Sequence, residues 1–285
     1  NHNPCRTILE QITNVGVSDA LLKKAEILTD LACSYPSALV AYSGGVDSTF
    51  LAYWVFCYLG ERMQAVTVRS SIESPDQLEF AEQTARQLRI PQMQLEYDSL
   101  LNPLIRSNPV DRCFHCKLSI LTLIGGYAHN HGYAVIMEGQ NVDDLGDYRP
   151  GREAVRQSGT LSPLMECGFT KSDIRLLSRI LGLPTWNIPS SPCLATRIPY
   201  GLPLDRGKLV QIDAGERYLR ERGFQQVRIR WTPGKCSVEV GENEIAKYRV
   251  EEAEIKKTLQ EIGLPEAEVD PRGYRQGSLN EGITK

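Results

Sequence analysis

The chain has 285 residues, 41% hydrophobic and 24% charged, enough to bury a full core in one large domain or two unequal ones. Its formal net charge of −3 gives no blanket attraction to polyanions, and no run of Lys and Arg is present, so a nucleic-acid partner is disfavoured. No stretch approaches the roughly 20 apolar residues of a membrane span, which argues against a membrane partner.

In chain order, Asn1-His2-Asn3-Pro4 carries no secretion-signal pattern, and the expected location is the cytoplasm. Ser18 to Ala32 has helical spacing. Ala38-Leu39-Val40-Ala41-Tyr42 reads as a buried strand and Asp47 to Leu59 as a helix, with Ser43-Gly44-Gly45-Val46-Asp47-Ser48 between them. A strand that breaks into Ser-Gly-Gly and then a helix bares backbone N–H groups at the positive end of the helix dipole, with no Cβ to obstruct an anion. No Lys follows these glycines, so the stretch is not a GxxxxGK[ST] loop.

Further strands are expected at Gln64 to Val68, Met93 to Tyr97 and Ala134 to Glu138. They alternate with helices at Pro75 to Leu88 and Cys116 to Ala128. This rhythm predicts an α/β fold, a doubly wound parallel sheet that holds ligands beyond the carboxyl ends of its strands. Lys171 to Leu181 forms one more helix, and Pro184 to Pro199 is rich in Pro and Ser. Pro199-Tyr200-Gly201 is the expected boundary, giving a first domain of residues 1–200 and a smaller α+β domain of residues 201–285.

In that second part a helix from Leu204 to Arg222 precedes Gln226-Val227-Arg228-Ile229-Arg230-Trp231, which alternates with period two. Val227, Ile229 and Trp231 share one face, and Arg228 and Arg230 the other. Ser237 to Val240 pairs with it through Pro233-Gly234, followed by a helix from Asn243 to Ile262 and a short strand near Val269.

Eight cysteines without a secretion signal read as thiols, metal ligands or catalytic groups rather than a disulfide framework. Cys113-Phe114-His115-Cys116 places two sulfurs within reach of one ion or cluster, and Cys193 lies in the irregular, polar segment Ser190-Ser191-Pro192-Cys193. A redox-active pair, two packed thiols, a zinc ion with His115 folded back as a ligand, and a [4Fe–4S] cluster with one iron open to an external sulfur all fit the spacing. Cys33 and Cys57 are expected in the core, and Cys5, Cys167 and Cys236 have no chemical role by this reading.

Ser43 to Ser48 resembles the pyrophosphate loop of the ATP-pyrophosphatase superfamily, whose members split ATP into AMP and pyrophosphate. Asp147-Tyr148-Arg149-Pro150-Gly151, Trp186-Asn187, Ser190-Ser191-Pro192-Cys193, Arg197-Ile198-Pro199-Tyr200-Gly201, Val227-Arg228-Ile229-Arg230 and Gly273-Tyr274-Arg275-Gln276-Gly277 are similar in order and spacing to the LarE family. The resemblance implies an ATP-dependent sulfurtransferase. Such an enzyme adenylates a carboxylate of a pyridinium dicarboxylate mononucleotide and replaces oxygen by sulfur, in the synthesis of a nickel-pincer nucleotide cofactor. Cys113, Cys116 and Cys193 match the three-cysteine form of the family. They imply a [4Fe–4S] cluster that takes its sulfur from sulfide or a donor protein, in a homo-oligomeric assembly.

The chemistry requires an anchor for phosphates, a cation and a substrate cradle. Ser43, Gly44, Gly45, Val46, Asp47 and Ser48 are the phosphate site, with Asp47 as a Mg²⁺ ligand competing with a helix-cap role. Ser70 and Ser71, after the second strand, are candidates for contact with the adenine. Arg197, Arg228, Arg230 and Arg275 are candidates for the anionic substrate, since a guanidinium fork suits carboxylate and phosphate. Arg112 and Lys117 are candidates for the nucleotide phosphates; Arg112 stands where the single-cysteine form has an aromatic residue. By family position Glu216 and Glu239 are metal candidates, although an exposed helix Glu is the default for Glu216. Asp143, Asp144 and Asp147 form an acidic turn suited to Mg²⁺ or to capping. The rival readings are a transfer-RNA thiolase and an ammonia-dependent synthetase of the same superfamily.

Overall fold

A computed structural model describes residues 4–145 and 151–275. In chain order the elements are α1 (Pro4–Val15), α2 (Asp19–Cys33), β1 (Ala38–Ala41), α3 (Val46–Leu59), β2 (Met63–Ser70), α4 (Pro75–Gln87) and β3 (Gln92–Tyr97). They continue as α5 (Pro103–Arg106), α6 (Arg112–His131), β4 (Val135–Met137), α7 (Gly151–Ser158), α8 (Pro163–Glu166) and α9 (Lys171–Ile180). The last are α10 (Arg206–Glu221), β5 (Val227–Thr232), β6 (Lys235–Val240), α11 (Ile245–Glu261) and β7 (Glu266–Val269). No described helix is long and apolar enough to cross a membrane.

The chain divides into two compact units. Unit 1 is residues 1–70, 75–97 and 111–191; unit 2 is residues 71–74, 98–110 and 192–285. Composition alone places one cut at residue 201. The short inserts join unit 2 because Asn108 clasps the 198–202 turn: its side-chain amide donates to the carbonyls of Ile198, Pro199 and Leu202, and its own carbonyl accepts from Gly201 N–H at 2.8 Å. Asn108 adopts φ of 56°, a left-handed conformation that its short polar side chain tolerates.

Unit 1 is a four-stranded parallel sheet in the order β3-β2-β1-β4. Side chains alternate across it. Ala38, Val40, Met63 and Ala65 face a core shared with α1 to α4 and α9, whereas Leu39 and Val66 face Ile124 and Ala128 of α6. Helices therefore cover both faces, which is the doubly wound α/β architecture. α3 is apolar nearly all round, with Phe50, Leu51, Ala52, Trp54 and Val55 fully buried, as a central helix must be. The chain runs outward from β1 to β2 and β3, then returns to place β4 on the other side of β1. The crevice beyond the carboxyl ends of β1 and β4 is thus the topological switch point, where such sheets bind ligands.

Unit 2 is built on the β5–β6 hairpin, paired antiparallel from Val227↔Val240 to Thr232↔Lys235, with β7 parallel to β6. Gly234 in the turn has φ of 79°, a conformation that glycine adopts without Cβ strain. Val227, Ile229, Val238 and Val240 are buried, with Leu219 of α10 and Ile255 and Leu259 of α11 also in the core. Gly215 permits the close approach of α10, since a Cβ there would lie 2.7 Å from Ile229 Cδ1.

One expectation fails in phase. Cys33 is exposed, not core. The buried stripe of α2 is Leu21, Ala25, Leu28 and Ala32, and Cys33 falls about 100° off it. Helix α6 also begins earlier than its apolar pattern suggests, so Cys113 lies inside it as well as Cys116.

Candidate functional site

The loop after β1 opens α3, and Gly45 is the N-cap residue, with no side-chain cap. The first-turn N–H groups are thus left to other partners. The loop is braced from within: Ser48 Oγ accepts from Ser43 N–H at 3.2 Å and lies 3.1 Å from Ser43 Oγ. Gly44 has φ of +72°, and a Cβ there would fall 2.7 Å from the Ala81 backbone, a combination only glycine accepts. Gly139, just beyond β4, brings its strand against the same loop, since its Cβ would lie 3.0 Å from Ser48 N. Gly44→Ala is therefore expected to disrupt the loop. ATP affinity, measured by calorimetry, should fall by at least tenfold at a stability cost of about 1–3 kcal/mol.

Asp47 is the second residue of α3, two places after the N-cap Gly45. Its carboxylate accepts from Lys171 Nζ at 2.6 Å, across a sequence separation of 124 residues. Lys117 Nζ donates to Glu138 Oε2 at 3.0 Å, and Ser162 Oγ donates to Glu138 Oε1 at 2.5 Å, so the buried Glu138 at the end of β4 is held from two sides. Arg112 is fully buried at the first position of α6. Ser70 is buried at the end of β2. In the acidic turn, Asp143 Oδ2 accepts from Lys171 N–H at 2.7 Å and Asp144 Oδ2 from Asn141 N–H at 3.1 Å, so both brace backbone. Asp147, with the rest of residues 146–150, lies outside the described residues, as do Gln276 and Gly277.

Cys113 is exposed and Cys116 half-buried, about one helical turn apart near the start of α6. His115 does not fold back to them: its Nε2 lies 3.2 Å from Asp111 Oδ2. Burial pushes the Cys167 thiol up to about 11 and that of Cys236 to about 12, which keeps both protonated and inert at neutral pH. Among the described residues, no three His, Cys, Asp or Glu side chains within either unit form a metal-binding group.

In unit 2, Cys193 caps the short turn Leu194–Arg197. Sequence reading puts Arg197 on the substrate and Glu216 on a metal, but the structure pairs them with each other. Arg197 Nε and Nη2 donate to the two Glu216 carboxylate oxygens at 2.9 Å each, with the side chains 3% and 1% exposed. Arg197 Nη1 donates to the carbonyls of Pro192 (2.6 Å) and Cys193 (3.0 Å), so each guanidinium nitrogen already has a protein partner. Glu216 also accepts from Ile229 N–H at 3.0 Å. Burial opposes the charge on Glu216, but Arg197 more than offsets it and holds the carboxyl below the usual range.

Arg228 and Arg230 share a face of β5, as their spacing predicts. Arg230 grips Glu239, at 3.1 and 3.3 Å, and donates from Nη1 to Thr196 O at 2.7 Å. Arg228 differs. It stacks over the Tyr274 ring at 5.3 Å, donates to Val227 O, and has no carboxylate at ion-pair distance among the described residues. Burial, reinforced by the charge on Arg197, lowers its pKa. Arg275, beside Asp270, is half-buried. Ser71 accepts from Leu100 N–H at 3.3 Å and helps hold the Asp98 carboxyl below its usual range.

Sequence reasoning missed three groups. Lys171 carries no local signal, because its partner is remote. Glu138 had marked only the end of a strand. Glu73 is half-buried next to the Cys193 segment, where Ile72 O accepts from Leu194 N–H at 2.9 Å; burial pushes its carboxyl up, opposed by the Arg197 charge.

A doubly wound sheet with a Lys-less glycine loop at its switch point defines an enzyme of the pyrophosphate-loop class. No protein-family model matches the chain. It is 36% identical over 267 residues to an uncharacterized protein of Synechocystis, covering 93% of this chain and 100% of the relative. It is 31% identical over 264 residues to the pyridinium-3,5-bisthiocarboxylic acid mononucleotide synthase of Lactiplantibacillus plantarum, covering 92% of this chain and 95% of that one. An uncharacterized protein of Methanocaldococcus jannaschii is 25% identical over 238 residues, 83% of this chain and 90% of the relative. The chain belongs to the LarE family of sulfurtransferases.

Proposed function

We propose that this enzyme uses ATP to adenylate a carboxylate of pyridinium-3,5-biscarboxylic acid mononucleotide and then replaces the activated oxygen by sulfur. A carboxylate oxygen is a poor leaving group; attack on the α-phosphate makes it the oxygen of AMP and releases pyrophosphate. In unit 1 the loop from Ser43 to Ser48 binds the departing pyrophosphate through backbone N–H groups, with Lys117 and Arg112 on the nucleotide side; Asp47 would hold a Mg²⁺ ion, which would offset phosphate charge. Ser70 and Ser71 are the candidates for the adenine.

The observation that carries the reading is the group of arginines in unit 2 about Arg197, which itself holds the Cys193 segment. Arg197 and Arg230 are neutralised by Glu216 and Glu239 and clasp the 192–196 segment. Arg228, with no carboxylate at ion-pair distance among the described residues, is left for an anionic substrate, with Arg275 as a second candidate. Arg197 and Glu216 act as positioning residues for Cys193 in this proposal.

Thiol sulfur is the donor type that iron–sulfur centres use: Cys113 is exposed and Cys116 and Cys193 are half-buried, whereas burial raises the pKa of Cys167 and Cys236 and leaves them inert. A [4Fe–4S] cluster held by Cys113, Cys116 and Cys193 would supply an iron site for an added sulfide.

The test is product analysis of the anaerobically purified enzyme with ATP, sulfide and the dicarboxylate mononucleotide. AMP, pyrophosphate and thiocarboxylate should appear in step. Thiocarboxylate without AMP, or ADP in its place, would sink the reading. In the same assay Arg228→Gln should raise KM for the mononucleotide about tenfold to a hundredfold, the range for loss of one charge-assisted hydrogen bond, while KM for ATP stays put.

A further inference from the structure

Arg197, Arg228 and Arg230 are held in two different ways. Arg197 and Arg230 commit their N–H edges to the protein: Glu216 and the carbonyls of Pro192 and Cys193 take the first, Glu239 and Thr196 O the second. Arg228 makes one hydrogen bond among the described residues, from Nη1 to Val227 O at 2.7 Å, and is otherwise held by its face, with Cζ 5.3 Å from the centre of the Tyr274 ring. Backbone contacts place that ring. Tyr274 N–H donates to Val240 O at 2.7 Å, and Val240 pairs with Val227, the residue before Arg228. Gly273 has φ of +65°, and a Cβ there would lie 3.0 Å from Val240 O, so the turn closes this tightly on β6 only with glycine. Asp270 N–H donates to Val238 O at 2.9 Å and its carbonyl accepts from Gly273 N–H at 3.0 Å, which fixes the rest of the turn.

We propose that Tyr274 is a positioning residue for Arg228: it holds the guanidinium by its face and so leaves the Nε and Nη2 edge to an oxyanion of the substrate. A cation over a ring face is attracted by the ring quadrupole, and that contact uses none of the N–H donors. A carboxylate in the same place would hold Arg228 as firmly but would occupy the edge, as Glu239 does for Arg230. An oxyanion docked on the open edge offsets the penalty that burial and the Arg197 charge impose on the Arg228 cation. The assignment rests on the reading of Arg228 as a substrate ligand and deepens it by naming what keeps the guanidinium fork open.

The test is a double-variant cycle read as KM for the dicarboxylate mononucleotide in ATP-dependent pyrophosphate release, the fold of each variant being checked by circular dichroism. Tyr274→Leu and Tyr274→Gln, both without a π face, should raise that KM about threefold to thirtyfold at unchanged kcat and unchanged KM for ATP. Tyr274→Phe keeps the ring and should stay within about twofold of wild type. Added to Arg228→Gln, Tyr274→Leu should bring no further loss, since no guanidinium is left to hold. A wild-type KM in either folded ring-free variant overturns the inference, as does an undiminished further loss on top of Arg228→Gln. A Tyr274→Phe variant as impaired as Tyr274→Leu also overturns it, because the hydroxyl and not the ring face would then act. A wild-type KM in Arg228→Gln overturns the substrate reading of Arg228 and the inference with it; a raised KM in Arg228→Gln beside wild-type values in the ring-free variants removes only the role of Tyr274.

Discussion

Cys193→Ala is expected to abolish sulfur insertion, to the background of the assay, while ATP- and substrate-dependent pyrophosphate release continues. The separation follows from which atoms of Cys193 are structural. Its carbonyl accepts from Thr196 Oγ1 at 2.8 Å and from Arg197 Nη1 at 3.0 Å, and alanine keeps that carbonyl. Only the thiol is lost. Loss of pyrophosphate release along with sulfur insertion would mean that the residue holds the fold of its loop, and the division of roles would be wrong.

The second large effect is on stability. Glu216→Ala strands the Arg197 guanidinium, 3% exposed, without its counter-charge, and breaking a buried pair from one side costs about 3–5 kcal/mol. Urea unfolding followed by circular dichroism should show that loss, and the double variant Arg197→Met/Glu216→Leu should recover part of it, because the desolvated charges go together. The pH dependence has a definite sign. The Glu216 carboxyl is held below its unfolded value, so its contribution is present above the unfolded carboxylate range and is lost as pH falls through the lowered folded value. A cost below about 1 kcal/mol for Glu216→Ala, the range of an exposed pair, would refute the buried-pair account.

What the sequence reveals and what it hides divide along the range of the interaction. The glycine loop is legible because strand, turn and helix are adjacent in the chain. The shared face of Arg228 and Arg230 is legible because period two is a local property of a strand. The pairing of Arg197 with Glu216 is not, since it joins a short turn to the middle of α10; read alone, Glu216 on a charged helix looks exposed. Lys171 is hidden for the same reason, at 124 residues from Asp47. The exposure of Cys33 was legible in principle from the phase of Leu21, Ala25, Leu28 and Ala32, which an apolar-segment reading overlooks. Composition marks Pro199-Tyr200-Gly201 as a break, but a single asparagine far upstream, Asn108, ties that turn into unit 2.

The measurement closest to the central claim is isotope tracing with a substrate whose carboxylates carry oxygen-18. Adenylation predicts one oxygen-18 in the phosphate of AMP for each sulfur installed, with none in pyrophosphate. Displaced label released as water, or found in pyrophosphate or ADP, would contradict activation of the carboxylate through AMP.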